Sequence, residues 1–560
     1  MKETIKETIM NALKNLSIDG PSFEIEHPDD RTNGDYSTNA AMINTKILKT
    51  NPRELAGKIK KEIESKMPDG VEKIEIAGGG FINFFLARNF FSTMVDHIAH
   101  DEHFGKNDSL ASSNVIIEYT DPNPFKEFHI GHLMSNTIGE ALSRIIEWNG
   151  GEVKRACYQG DVGLHVAKAI WALKKSGEKS FDIEMLAKAY AEGSKAYAEE
   201  IAKKEIEEIN KKIYEKDKEI IDEYWAPGKK ISLEHFEELY KKLGTKFDYY
   251  FFESECGEFG KKVVEEHIEK GIFEKSDGAV VFKAEAFDPK LHTRVFINSQ
   301  GLPTYEAKEL GLAKIKHEKY PYALSVVVTG NEINDYFRVL LCAMKQVFPE
   351  LSEKTTHISH GMLRLPSGKM SSRTGDVITG ESLLSDIGEK VMEKIQSSDK
   401  TMLSSSLVND VSVAALKYSI LKQAPGKDII FSFEKSISFE GDSGPYLQYA
   451  HARAFSLLEK AEREGVEPSY EHVPDTLFEI ERILYRFPEV ILLAQKTYAP
   501  QLISGYLIEL ARSFNSLYGR EQIISKDDEF SPYKILITKA FVQVLRNGLT
   551  VLGMQAPEKM

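Results

Sequence analysis

The chain of 560 residues predicts an α/β protein built on a doubly wound parallel sheet with a helical insertion, an N-terminal α+β domain and a C-terminal all-α helical bundle. Three observations predict this. Two strand–loop–helix units follow one another up to about residue 176, and in series they imply a right-handed parallel sheet with ligands at the carboxyl ends of its strands. Beyond about residue 380 the apolar positions recur at helical spacing to the end of the chain. The length also exceeds what one hydrophobic core usually serves. Three domains are therefore expected, at 1–108, 109–385 and 386–560, with 177–271 a mostly helical insertion in the second.

The start of the chain, M-K-E-T-I-K-E-T-I-M-N-A-L, reads as a charged amphipathic helix. It lacks the continuous apolar segment of a signal peptide, and no run elsewhere is long enough to span a bilayer, so a cytoplasmic protein is expected. Val71 to Ile76 alternates as a strand and leads into Gly78-Gly79-Gly80. With no P-loop lysine and no G-x-G-x-x-G frame, that glycine run reads as a tight bend rather than a phosphate cradle. Cys157, Cys256 and Cys342 are widely separated, which excludes a C-x-x-C zinc site and a disulfide framework, and no metal ligands are expected. A composition of 42% hydrophobic and 28% charged residues is ordinary for a globular protein. The net charge of −14 argues by itself against a nucleic-acid partner, although a large acidic protein can still carry one positive groove.

The first unit of the predicted sheet is the most informative stretch. Val115 to Tyr119 has the β-branched and aromatic content of a buried strand, and Asp121, Pro122, Asn123 and Pro124 end it. His129-Ile130-Gly131-His132 then opens a helix that continues through Leu133, Ile138, Leu142, Ile145 and Ile146 to Asn149-Gly150-Gly151. A strand-to-helix turn of this kind presents free backbone N–H groups and the positive end of a helix dipole, which suits a polyphosphate. The two histidines add donors, and the glycine admits a flat base close to the backbone. The second unit runs from Val153–Tyr158 through Gln159-Gly160-Asp161-Val162-Gly163 into a helix at Leu164.

Lysine and glutamate at helical spacing from Ala196 to Glu223 predict a solvated helical face within the insertion. The sheet is expected to resume with Gly278–Phe282 and Arg294–Ile297. Tyr305 and Glu309 share a helix face four residues apart. Leu324–Val328 reads as a buried parallel strand ending in Thr329-Gly330-Asn331-Glu332. After Met362, the stretch L-R-L-P-S-G-K-M-S-S-R-T-G is glycine-flanked, basic and rich in hydroxyls, suiting a mobile clamp on a polyanion. Further on, Tyr446, Gln448, Tyr449, His451 and Arg453 open a helix with side chains able to stack on and bond single-stranded bases, or to pack domains together.

His129-Ile130-Gly131-His132 resembles the HIGH signature of class I aminoacyl-tRNA synthetases, and Lys369-Met370-Ser371-Ser372-Arg373 resembles the KMSKS signature that accompanies it. The likeness is closer than the class. G-D-Y-S-T-N-A-A-M, G-G-G-F-I-N-F, E-Y-T-D-P-N-P-F-K-E-F-H-I-G-H-L, L-P-T-Y-E-A-K-E-L, S-G-P-Y-L-Q-Y-A-H-A-R and the C-terminal V-L-R-N-G-L-T-V-L-G-M-Q-A-P-E-K-M together resemble arginyl-tRNA synthetases. The resemblance implies a Rossmann-like catalytic domain that activates L-arginine with ATP to the adenylate and then charges the terminal adenosine of arginine tRNA, usually with tRNA bound during activation. It also implies a monomer, and magnesium that comes with ATP rather than in a protein cage.

Carried over by position, Lys126, His129, His132 and Lys369 are the catalytic set. His129, Gly131, His132, Met362, Lys369, Met370 and Ser371 would hold ATP. Glu118, Asn123, Tyr305, Glu309 and Glu332 would hold arginine, and Tyr446, Gln448, Tyr449, His451 and Arg453 would meet tRNA. Two departures stand out. Glu309 occupies a place where aspartate is common, and Ser372 stands where KMSKS has its second lysine, a loss for which Lys126 is the expected substitute. A synthetase for another amino acid, a small-molecule nucleotidylyl transferase and a non-catalytic tRNA-binding paralogue are the alternatives. The N-terminal module and helical bundle disfavour the transferase, and the intact phosphate-binding set disfavours the paralogue.

Overall fold

The computed structural model describes the chain except residues 49, 178–179, 366–378 and 399–403. Its centre is a five-stranded sheet of β1 (Asn114–Glu118), β2 (Glu152–Gln159), β3 (Tyr249–Phe252), β4 (Leu324–Gly330) and β5 (Thr355–His360). The strand order is β5-β4-β1-β2-β3 and every neighbouring pair is parallel. The chain steps outward from β1 to β3, then crosses to the far side of β1. The order therefore reverses between β1 and β4, and in a doubly wound sheet that crevice is where ligands bind.

Strand alternation sorts the side chains onto two cores. Val115 and Ile117 face helix α1 (Ile130–Trp148) and belong to one continuous apolar cluster with the C-terminal bundle, including Leu447, Phe487 and Phe541. Ile116 and Ala156 face the other way, toward helix α3 (Tyr305–Lys319) and helix α4 (Asn334–Val347). The helical bundle thus packs directly on the sheet's α1 layer, and α1 is buried along almost its whole length.

The structure corrects two expectations about the middle of the chain. The stretch 177–271 is not all insertion, because Tyr249–Phe252 pairs with β2 as the sheet edge and α2 (Ala226–Leu243) sends Phe236, Leu239 and Tyr240 into the α1-side core. A separate core, with Ile170, Leu186, Ile206 and Ile213, gathers the helices Ile183–Ala196 and Glu200–Tyr214 against Leu164–Ser176. The segments near 279 and 294 do not continue the parallel sheet either. Ala279–Phe282 pairs antiparallel with Glu274–Ser276 on one side and Arg294–Ile297 on the other. Asp277 and Gly278 both have positive φ, 48° and 80°. A two-residue turn of that kind can only join antiparallel strands.

The N-terminal module is a four-stranded antiparallel sheet flanked by helices. Its glycine run is the turn between Val71–Ala77 and Phe81–Leu86, where Gly80 (φ 120°) lies against the backbone of Pro52. The module docks on the bundle through Arg88–Glu481 at 2.8 Å, Asp35–Arg482, and the Tyr36 hydroxyl donating to Glu489 at 2.6 Å. Helix α5 (Gly444–Glu464) and the regular elements after it are all helices, as expected, while Ile429–Ile430, before α5, pairs with Leu363–Arg364.

Candidate active site at the strand-to-helix junction

The loop from Tyr119 to Phe128 joins β1 to α1, and its backbone is unusual. Thr120, Asp121 and Phe125 have φ of 79°, 48° and 67°, a region that costs an L-residue energy unless its surroundings enforce it. They do. The Thr120 N–H donates to Ser135 Oγ at 2.9 Å, and that hydroxyl in turn donates to the Val328 carbonyl of β4 at 2.9 Å. Asp121 Oδ1 accepts from the Tyr158 N–H at 2.7 Å, Asn123 Oδ1 from the Gly160 N–H at 3.0 Å, and the Phe125 N–H donates to Ser232 Oγ at 3.0 Å. Gly139 of α1 has to be glycine here, because a Cβ would lie 2.2 Å from the Tyr119 ring.

At the helix N-terminus the His132 N–H donates to the His129 carbonyl at 3.0 Å, and the His129 N–H donates back to His132 Nδ1 at 3.1 Å. Burial, and then the positive charge of Lys126, lower the pKa of His129. Burial lowers His132 further, with His129 and Lys126 adding to the effect. A Cβ on Gly131 would sit 3.0 Å from the His129 imidazole. The Lys126 ammonium lies 5.1 Å from the centre of the Tyr190 ring and has no ion pair among the described residues. Two neutral N–H donors and an uncommitted cation thus surround the positive end of a helix dipole.

A second cluster lies beneath the loop. Tyr305 and Glu309 share one face of α3, and Lys316 follows two turns later. Lys316 is paired with Glu118, both nearly wholly buried at 4% and 2% side-chain exposure. The Glu118 carboxylate is therefore already engaged by a protein cation rather than free for an amino acid. Glu309 has no hydrogen bond or ion pair among the described residues. Burial and then the Glu118 carboxylate push its carboxyl well above the usual range, and Asp121 is raised by the same two causes. Three carboxyl groups thus share a single ammonium. Among the described residues the buried hydroxyls of Tyr158 and Tyr336 also lack partners, and both feel the charge of Glu309. Such a site is short of positive charge and has phenol oxygens free to accept.

The remaining expected residues divide. Glu332 is exposed on the turn after β4 and its charge acts on His129 and His360, so it stands at the histidine side of the crevice. Met362 is 42% exposed just beyond β5. Lys369, Met370 and Ser371 lie outside the described residues. The far end of that segment returns to the junction, where the Gly380 N–H donates to the Phe128 carbonyl at 2.6 Å and Thr379 bridges His129.

On α5 the structure corrects two expected tRNA contacts. Gln448 and His451 are wholly buried. Gln448 Nε2 donates to the Gln555 carbonyl at 2.9 Å and His451 Nδ1 to the Pro557 carbonyl at 2.8 Å, so these side chains fasten the C-terminal tail instead of facing solvent. The Tyr446 hydroxyl accepts from Asn515 at 2.8 Å. Tyr449 is 38% exposed, and the Arg453 guanidinium lies 4.7 Å from its ring and 5.6 Å from that of Tyr518. Sequence reasoning did not single out Lys316, Asp121 as an acid, or Tyr158. The seven-residue spacing from Glu309 to Lys316, two turns along one helix, was the available signal for the first.

Comparison with known proteins finds relatives along the whole chain. Residues 3–86 match the family model "Arginyl tRNA synthetase N terminal domain", 94–433 match "tRNA synthetases class I (R), catalytic domain", and 447–560 match "DALR anticodon binding domain". An arginine–tRNA ligase of Borrelia garinii is 30% identical over 598 residues, covering all of both chains. One of Fusobacterium nucleatum is 31% identical over 94% of this chain and 93% of its own. Among solved structures, the fold is similar to an arginyl-tRNA synthetase of Thermus thermophilus, with a TM-score of 0.83 at 22% identity and full coverage of both chains. It is also similar to that of Plasmodium falciparum, with a TM-score of 0.81 at 20% identity, covering 100% and 99%. With the catalytic-domain model alone matching more than half of the chain and full-length relatives at 30% identity, this chain belongs to the arginyl-tRNA synthetase family of class I aminoacyl-tRNA synthetases.

Proposed function

We propose that the junction between β1 and α1 carries both half-reactions of an arginine–tRNA ligase, with the acid cluster selecting the amino acid and the histidine pair receiving ATP. The ligase activity follows from family membership. The observation that carries the division of labour is the unpaired carboxyl of Glu309 beside orphaned phenols. A guanidinium offers five planar donors and one positive charge, which complements that set. Glu309 and Tyr305 take the guanidinium. Asn123, whose Oδ1 is occupied by the Gly160 N–H, has its Nδ2 left to donate to the arginine carboxylate. Glu118 serves indirectly, by fixing Lys316 and raising Glu309.

In activation, a carboxylate oxygen of arginine attacks the α-phosphorus of ATP, and pyrophosphate leaves with the electrons of the broken P–O bond. No protein nucleophile takes part, so positioning and electrostatics do the work. Neutral His129 and His132 donate N–H groups to the phosphates, Gly131 leaves room for the adenine, and Lys126 offsets the charge that develops. Lys369, with Met370 and Ser371, would close over the phosphates from the other side, beside Met362. In transfer, a ribose hydroxyl of the terminal adenosine attacks the acyl carbon and AMP leaves.

Lys126 is a cation and His129 and His132 are neutral nitrogen donors, a set that suits phosphate oxygens and not magnesium, which takes oxygen ligands. Magnesium would therefore be held by the phosphates of ATP, supplying charge neutralisation there, with no step through a protein-held ion. Glu332, facing the histidines, would act near the phosphate end of the adenylate. Tyr449 and Arg453 lie within the anticodon-binding match and Tyr446 one residue before it, and the exposed Tyr449–Arg453–Tyr518 stack would meet tRNA bases there. No described helix is long and apolar enough to cross a membrane. We place the protein in the cytoplasm, as a monomer.

Single-turnover formation of arginyl-adenylate tests the role of Lys126. Removing one such group should slow the step about 100-fold or more. A Lys126→Ala enzyme that activates arginine near the wild-type rate would show that the charge is stabilised elsewhere.

A further inference from the structure

We infer that a cavity beyond the end of β2 receives one unpaired base of the tRNA 3′ end, read by Gln159. The inference rests on the ligase function above and extends it to a subsite that none of the expected site residues occupies. The cavity has a volume of about 220 Å³ and is walled by Leu233, Phe236, Glu237 and Tyr240 of α2, Tyr250 and Phe252 of β3, and Gln159. It lies on the opposite face of the sheet from the arginine cluster. Tyr158 points toward α3, while its neighbour Gln159, by strand alternation, points toward α2.

Gln159 is wholly buried, yet among the described residues neither its amide oxygen nor its amide nitrogen has a hydrogen-bond partner. A buried amide is almost always paired, so one aimed into a cavity calls for a ligand that offers an acceptor and a donor side by side. The Watson–Crick edges of cytosine and adenine both do so. Phe236, Tyr240, Tyr250 and Phe252 supply rings to the wall, suited to stacking a flat heterocycle. The volume accepts one base and is too small for a nucleotide with its phosphates. The carboxylate at the rim, Glu237, accepts from the Tyr250 hydroxyl and would disfavour a phosphate.

The position fits the tRNA end rather than a free base. Gly160, the next residue after Gln159, donates to Asn123 in the amino-acid site. On the other side the Phe236 ring lies 6.2 Å from that of Phe128, which packs 5.2 Å from His132. The cavity thus lies one residue along the chain from a contact with Asn123 and two ring contacts from His132. During transfer the terminal adenosine must bring a ribose hydroxyl to the acyl carbon, and this places a preceding nucleotide one backbone step away, unpaired and open to capture.

The test crosses Gln159→Leu with arginine tRNA transcripts carrying an abasic ribose at each of the two positions before the terminal adenosine, measured as kcat/KM for arginylation. At one of the two positions, the abasic tRNA with wild-type enzyme and intact tRNA with Gln159→Leu should each lose about tenfold, and the combination should lose no more than either alone. Losses that multiply at both positions, or full activity of Gln159→Leu on intact tRNA, would overturn the proposal. If Gln159→Leu does not fold, as judged by thermal melting, Leu233→Trp fills the cavity from the half-exposed wall and takes its place in the same cross, with the same two readings. Arginylation of intact tRNA by the wild-type enzyme, measured in the same series, tests the ligase function separately.

Discussion

The His129 N–H donates to Nδ1 of His132 at 3.1 Å, and the two imidazoles stack with centroids 3.5 Å apart. An accepting Nδ1 leaves the proton of the neutral His132 ring on Nε2, aimed away from its own helix turn. Both rings are held neutral by burial and by Lys126, so they reach phosphate as uncharged donors. Protonation would remove the accepting lone pair and put two cations face to face. The acid limb of kcat/KM for ATP in adenylate formation, which reports the free enzyme, should therefore lie below pH 6.5. Values of kcat/KM between pH 5 and 8 check this, and a limb at or above 6.5 that His132→Asn abolishes would contradict it.

Stability should follow the same direction. His357 and His451 are depressed to about 4 and His165 to about 3, each chiefly by burial, against an ordinary 6.5. A histidine with a lowered folded pKa stabilises fully above 6.5. That stability is lost as pH falls toward the folded value, because the unfolded chain takes up protons that the folded chain refuses. For wholly buried His451 the loss between pH 7 and pH 5 is about 2 kcal/mol. Urea unfolding midpoints should fall over that interval, and equal midpoints would show that these rings are protonated in the folded state.

Arginine binding should be pH-linked through Glu309. Burial and the Glu118 carboxylate raise its carboxyl, so in the empty enzyme part of the population is protonated at a pH where an ordinary glutamate is ionised. The guanidinium needs the ionised form, so KM for arginine should fall as pH rises. Glu309→Gln should remove that dependence and raise KM about 100-fold, the loss expected for a buried charge-assisted pair of about 3 kcal/mol. An unchanged KM in Glu309→Gln would place the guanidinium elsewhere.

Lys316 and Glu118 are buried together, and breaking one side leaves an uncompensated charge. Lys316→Met should destabilise the protein by roughly 3–5 kcal/mol. Glu118→Gln added to Lys316→Met should recover part of that loss, because the orphaned carboxylate is then gone. Denaturant unfolding of the wild type and the two variants checks this, and a double variant less stable than Lys316→Met alone would contradict it.

What could be read before the structure depended on how local the signal is. The β1 strand, the proline-rich stop and the helical register after His129 are encoded within a few residues, and they form where the pattern put them. β3 escaped because Tyr249–Phe252 is four aromatic residues between charged helices, too short to show a period. The same limit applied on α5. Gln448 and His451 looked like base-reading groups because polar side chains at a helix start resemble a binding face, and only the return of the C-terminal tail, more than a hundred residues later in the chain, buries them. Of the site, the phosphate side was legible as a motif. The acid cluster was legible only through Tyr305 and Glu309, because the cation paired with Glu118, Lys316, reaches it from 198 residues away.

The most direct test of the whole account is amino-acid-dependent exchange of pyrophosphate into ATP, measured with arginine tRNA present across a panel that includes arginine, lysine and glutamine. Exchange with arginine alone, lost in Glu309→Gln, is the predicted result. Exchange with lysine or glutamine in place of arginine, or with no amino acid at all, would contradict it.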